Sequence, residues 1–210
     1  MSREKIPSES AISGSTPASP PRERILAAAR ALFYARGIRA VGVDEIAAAA
    51  QTNKMTLYRH FESKDLLVAK YLRGLAQEAD SVWSELARSH PGDALAQLHG
   101  WVERIGSHMA DCGNRGCALA NAAVEIPEKG HPARAVIEAH KTHQREHIAT
   151  LCREAGYRDP ERLADEIFLL LEGARVNMQS VGPGGPGTRV GEMLCALLHT
   201  SPRAAVAQSA

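Results

Sequence analysis

Aromatic side chains are scarce in this chain, 4% of 210 residues. A core with so few rings rests on Leu, Ile, Val and Ala, so an aromatic pair in a polar setting calls for a reason. Cysteine is sparse as well: Cys112 and Cys117 form a C-x4-C pair without zinc-finger spacing, and Cys152 and Cys195 stand far apart. A chain of this length buries a core without disulfides, so reduced thiols are expected. No apolar run approaches the ~18 residues of a membrane span, and no apolar stretch with a cleavage site opens the sequence; neither a membrane anchor nor an export signal is expected. Sustained period-2 alternation is absent, which argues against a sheet. Neither Gly-x-Ser-x-Gly nor His-Glu-x-x-His occurs, and no paired acid–base motif stands out. No enzyme activity, cofactor or metal is therefore expected.

Charge is present but unevenly placed. Residues 22–73 hold ten Lys and Arg against five Asp and Glu, whereas residues 74–210 hold thirteen against seventeen. A basic first third on an acidic body suits a small polyanion-binding head. Residues 1–20, with six Ser and three Pro, lack the apolar groups to order themselves and read as a disordered tail.

From Pro21 the pattern is helical. Ile25, Ala28, Ala29, Leu32 and Phe33 recur at helical spacing, and Gly37 is placed to end that helix. A short helix over 43–50 follows, with Asp44 and Glu45 at its positive end. Asn53 reads as the N-cap of a helix over 54–60, and Ser63 as the cap of the next, whose stripe is Leu66, Leu67, Tyr71, Leu75 and Val82. Turn signals divide the rest into helices near 93–110, 117–126, 132–155, 160–180 and 188–199. Asp159-Pro160 has the form of an N-cap followed by Pro at N1.

The two short helices have helix-turn-helix dimensions, with a motif over about 42–61. This accounts for the aromatic pair. Leu57 and Phe61, four apart, share the face that packs inward near Leu32 and Phe33. Tyr58 and Arg59 are turned away, towards a DNA groove and its phosphates. Lys64, in the first turn of the following helix, is placed to help hold a phosphate.

These residues resemble the DNA-binding head of TetR/AcrR-type regulators. The resemblance lies in Ala29, Leu32, Phe33 and Gly37, then Val43, Ile46 and Ala47, then Leu57, Tyr58, His60, Phe61 and Lys64. It covers about residues 22–70. It implies DNA contacts from Thr52, Asn53, Lys54, Met55, Thr56, Tyr58, Arg59, His60 and Lys64. Three positions depart from the family pattern. Gln51 stands where Gly is common, and a non-Gly residue at positive φ costs about 1 kcal/mol. Gly42 replaces a common Ser or Thr that would cap or touch phosphate. Met55 replaces a small residue and offers an apolar contact to a base.

The fold expected is all-α: a three-helix head over 21–70, a larger helical bundle over 71–200 for ligand sensing and dimerisation, about nine helices in all, and a flexible tail over 201–210. Stripes on the last two helices, Leu163, Ile167, Leu170 and Leu171, then Val190, Met193, Leu194, Leu197 and Leu198, need a partner surface. The resemblance implies a homodimer sealed by these helices, so that each copy binds half a palindrome. It further implies an effector cavity among the middle helices. Polar candidates for its lining are Asn121, Glu125, Glu172, Arg175 and Asn177, with Trp101, Met109, Phe168 and Met178 as walls. The function implied is a cytoplasmic, ligand-responsive transcription regulator, a repressor released from double-stranded operator DNA by a small organic effector.

Two other readings compete. One is a ligand or redox sensor without DNA binding, using Cys112 and Cys117 beside an Arg. The other is a helical metal-dependent enzyme using His140, His143 and His147, which share a helix face. Gly182, Gly184 and Gly187 satisfy G-x-G-x-x-G, but no strand precedes them and Pro183 and Pro186 interrupt; a flexible loop is expected instead.

Overall fold

The computed structural model describes residues 19–111 and 116–204. Cys112, most of the expected N-terminal tail and the last six residues lie outside the described residues. Nine α-helices are found among those described, and no strand longer than an isolated bridge. The order is α1 Pro21–Arg36, α2 Val43–Ala49, α3 Lys54–Phe61, α4 Lys64–Ser89, α5 Ala94–Asp111, α6 Ala118–Glu125, α7 Pro132–Glu154, α8 Pro160–Val181 and α9 Val190–Thr200. A 3-10 turn, Pro186–Arg189, leads into α9.

Capping chemistry sets several of these boundaries. Asn53, Ser63 and Asp159 accept hydrogen bonds from the backbone N–H of Thr56, Leu66 and Arg162, satisfying donors that a helix start leaves free. Gly37 ends α1 at φ 87°. Gly42 precedes α2 with no side-chain cap, as its missing hydroxyl implies. Gln51 takes φ 51°, the left-handed turn that a Gly would adopt at less cost.

Two hydrophobic cores are strung on α4 and α7. The first joins Ile25, Phe33, Ile46, Leu57, Phe61, Leu67 and Leu72 to Leu119, Ala122 and Ile126 of α6 and Ala133 and Ile137 of α7. The core of the head is thus completed by helices from beyond residue 70. The second gathers Trp83, Leu98, Trp101, Ile148, Leu171, Leu194 and Leu198 from α4, α5, α7, α8 and α9. At 26 residues, α4 is about 39 Å long and serves both. Leu66, expected in its inner stripe, is 41% exposed, and Val68 is buried in its stead.

Two further expectations are corrected. Residues 201–204 are tied down: Arg158 N–H donates to the Pro202 carbonyl at 2.9 Å, Ala204 N–H to the Gly156 carbonyl at 2.8 Å, and the Arg203 guanidinium lies 3.8 Å from the Tyr157 ring centre. The loop at 182–187 packs against α8 at Gly185 and Gly187, while Pro183, Gly184 and Pro186 are exposed. Asn177 Oδ1 accepts the Gly187 N–H at 2.9 Å, and a Cβ at Gly187 would stand 2.7 Å from the Ala174 carbonyl. Only Gly fits there, for packing against α8 and not for phosphate.

Candidate nucleic-acid interface

Helix α3 has one buried and one open face. Leu57 is 0% exposed and Phe61 5%, while Met55 is 82% exposed and Tyr58 38%. Lys54 and Arg59 are exposed on the same open side. Side chains at i, i+1, i+4 and i+5 thus make one outward strip, with Asn53 at its N-terminal end. The Lys54 ammonium pairs with Asp44 of α2 at 3.2 Å, and the exposure of both leaves the pair weak and exchangeable. Thr56 and His60 lie at the edges of the strip, half-buried; Thr52 sits in the turn, its N–H bonded to the Ala47 carbonyl at 2.9 Å.

The turn itself is braced from α1. Arg24 donates from Nε to the Ala50 carbonyl at 3.0 Å and from a terminal nitrogen to the Gln51 carbonyl at 3.4 Å. Its other terminal nitrogen reaches the Ser19 carbonyl at 2.7 Å. One guanidinium therefore holds the end of α2 and the left-handed residue that aims α3.

Lys64 has a task the sequence did not suggest. Its ammonium donates to the Ile38 carbonyl at 2.7 Å and is half-buried. Burial lowers its pKa, opposed by the nearby Asp65 and Glu125 carboxylates. It ties the start of α4 to the loop between α1 and α2.

The nine residues expected around an effector cavity fall into separate groups among the described residues. Trp101 stacks on Trp83 with ring centres 4.8 Å apart. Trp101, Met109 and Met178 all belong to the body core. Asn177 anchors the glycine loop. Asn121 and Glu125 face the head across a cavity of about 10 Å³, shared with Phe33, Tyr34, Ile38 and Tyr71. Phe168, Glu172 and Arg175 come together, joined by Lys141 of α7. The Glu172 carboxylate accepts from Lys141 at 2.7 Å and from Arg175 at 2.6 Å, and Lys141 lies 5.7 Å from the Phe168 ring centre. Burial is the largest influence on Glu172 and opposes its charge, yet the two cations together hold its pKa below the usual value. One turn along α7, Gln144 is buried with Oε1 lacking a partner among the described residues, as does Nδ1 of His140. This polar step separates the two cores. The sequence signal for it was a run of polar residues on α7, easily taken for a solvated face.

The dimer stripe is also corrected. Leu163, Ile167, Leu171, Val190, Leu194 and Leu198 are 0–3% exposed within the single chain, so they close its own core. Leu170 and Leu197 are half-buried and pack against that core. Of the stripe, Met193 alone is open, at 37%. The apolar residues that do face outward on α8 are Leu169, Val176 and Val181, at 68%, 60% and 61%. The histidines do not form a metal site either. His147 packs on Trp83 at 4.5 Å between ring centres, His143 pairs with Asp80 at 3.9 Å, and no metal-binding group of three is found among the described residues. Cys117 lies 3.8 Å from the Lys141 ammonium.

Comparison with known proteins bears on this geometry. Residues 25–71 match the family described as bacterial regulatory proteins, tetR family. The HTH-type transcriptional repressor KstR2 of Rhodococcus jostii is 38% identical over 68 residues, 32% of this chain and 33% of that protein. The chain thus aligns with about a third of that curated relative's length. A TetR-family transcriptional regulator from Streptomyces coelicolor superposes with a TM-score of 0.75 at 30% identity, covering 85% of this chain and 92% of the other. A second regulator structure, from Streptomyces avermitilis, gives 0.72 at 26% identity over 89% of this chain and all of that one.

Proposed function

Because the chain belongs to the TetR family of bacterial regulatory proteins, we propose that it is a DNA-binding transcriptional regulator, a cytoplasmic repressor released from its operator by a small organic effector. The observation that carries this reading is the open strip of α3. Met55, Tyr58, Arg59 and Lys54 are presented by a capped helix whose opposite face is locked in a core. A helix so mounted enters a major groove, where Arg and Lys meet guanine and phosphate and Met meets a thymine methyl. Residues 21–70 serve as the reading head and 71–200 as the sensing and dimerising body. The homodimer forms on the outward apolar residues Leu169, Val176, Val181 and Met193, which pair two heads on a palindrome. The effector meets the polar step at Lys141, Glu172 and Arg175. Two half-buried cations there face one carboxylate, which favours a ligand with an acidic group.

The test is selection of duplexes from a random-sequence DNA pool, followed by salt-dependent binding. Tyr58→Ala and Arg59→Ala should weaken binding, and Arg59→Ala should lower the salt slope by roughly one ion per head. A protein that enriches no duplex over the random pool would rule the reading out.

A further inference from the structure

Glu125 is the last residue of α6, yet its carboxylate lies against the head. Oε2 accepts the backbone N–H of Arg39 at 2.9 Å, across 86 positions of sequence. The approach depends on Gly37, which is at φ 87°; a Cβ there would stand 3.0 Å from both carboxylate oxygens. From the other side, the Lys64 ammonium holds the neighbouring Ile38 carbonyl at 2.7 Å. Lys64 opens α4, three residues after Phe61 ends α3. The backbone at 37–39 is therefore gripped by one carboxylate from α6 and one ammonium from α4. The Arg39 side chain adds a weak, exposed pair with Glu128 at 3.4 Å.

The apolar contacts of this seam, Leu119, Ala122 and Ile126 against the head, bury surface but do not fix direction. A carboxylate accepting a backbone N–H does fix it, because charge-assisted bonds are short and angle-dependent. The contact is also close enough that little can slide, since the adjoining cavity holds only about 10 Å³.

We propose that Glu125 is a positioning residue for DNA reading, locking loop 37–39 and with it the head to one placement of α6. The role rests on the reading of α3 as the DNA-contacting helix. Its consequence is reciprocal. If the placement of α6 sets the head, DNA bound to the head must steady α6.

The experiment uses the full chain, duplexes selected from a random pool by the wild type, and hydrogen exchange with and without DNA. In the wild type, exchange should slow over 43–61, where DNA binds, and also over 118–126, where it does not. In E125A the slowing over 118–126 should vanish and affinity should fall about 10-fold, while 43–61 still slows. E125Q keeps a carbonyl oxygen for the Arg39 N–H and should retain most of both effects. Undiminished slowing over 118–126 in E125A overturns the proposal. If both variants lose their cooperative melt, Glu125 is a folding residue only and the proposal also falls. Absence of slowing over 43–61 in the wild type overturns the DNA reading itself, and the role of Glu125 with it.

Discussion

The core around Leu57 and the core around Leu194 share α4 and α7, but they leave different surfaces behind. Around Leu57 two of the helices are short, with 7 residues in α2 and 8 in α3. Each has room for one buried face, so whatever is not buried is available for contact, and Met55 and Tyr58 stand out at once. Around Leu194 the helices are long, and α8 alone has 22 residues. It carries apolar residues on two sides, with Leu163, Ile167 and Leu171 facing in and Leu169, Val176 and Val181 facing out. A stripe in such a helix says that something covers it, but not whether the cover is the same chain or another copy.

The strongest way to break this comparison is to exchange the two faces of the body. Leu194 is 0% exposed, so Leu194→Arg buries a charge without a partner and should cost on the order of 4 kcal/mol or more. The melting temperature should drop by about 10 °C or more. Leu169→Arg, at 68% exposure, should leave the melt of each chain within about 0.5 kcal/mol of the parent and shift sedimentation towards monomer. A Leu194→Arg protein that melts normally as a monomer would reverse the assignment of the two faces.

The polar step between the cores offers the next test. Glu172→Gln leaves Lys141 and Arg175 half-buried without their carboxylate, and thermal unfolding near pH 7 should show a loss of about 2 kcal/mol. The sign with pH follows from a folded-state pKa lowered by these two cations against the burial that opposes them. The stabilisation is complete above the ordinary carboxylate value of about 4.3 and is lost as pH falls below it. The gap in melting temperature between the parent and Glu172→Gln should therefore narrow on acidification below about pH 4.3. A gap that stays constant down to pH 3 would show that the loss is one of packing.

Much of the head was legible because its signals are local. Asn53 and Ser63, like Asp159 in the body, cap the helices they precede by bonding to N–H groups three residues on, and spacing alone discloses that. The periodicity of Ile25, Ala29 and Phe33 likewise needs no partner to be read. What stayed hidden depends on distant partners. Glu125 looked like a polar residue on an apolar helix and is that, but its purpose is Arg39, 86 positions away. Lys64 turns to Ile38 because the loop at 37–39 folds over it. Asn177 binds a glycine loop whose packing no pattern announces. In the body, six members of the expected dimer stripe proved to be core, since helical periodicity marks burial without naming the partner.

A smaller effect sharpens the local side of the contrast. Asn53→Ala removes the acceptor for the Thr56 N–H, a bond of 2.8 Å, and should cost about 1 kcal/mol. Because α3 belongs to a core completed by α6 and α7, the loss should appear as a lower melt of the head and body together. Two separate transitions in calorimetry would show that the shared core does not couple them.

The smallest effect tests the turn that aims α3. Gln51 is held at φ 51°, where a side chain costs about 1 kcal/mol relative to Gly. Gln51→Gly removes that strain but gives the unfolded chain more freedom, so the net gain should be about 0.5 kcal/mol. The Arg24 guanidinium holds the carbonyls of Ala50 and of Gln51 itself. If its purpose is to keep a strained turn in place, Arg24→Ala should weaken DNA binding in the parent and weaken it less in the Gln51→Gly background. The salt slope of binding should stay unchanged, because a brace neutralises no phosphate. A double-mutant cycle on affinity, read at several salt concentrations, separates the two possibilities. Equal losses in both backgrounds, together with a slope lower by about one ion, would make Arg24 a phosphate contact and leave the turn to support itself.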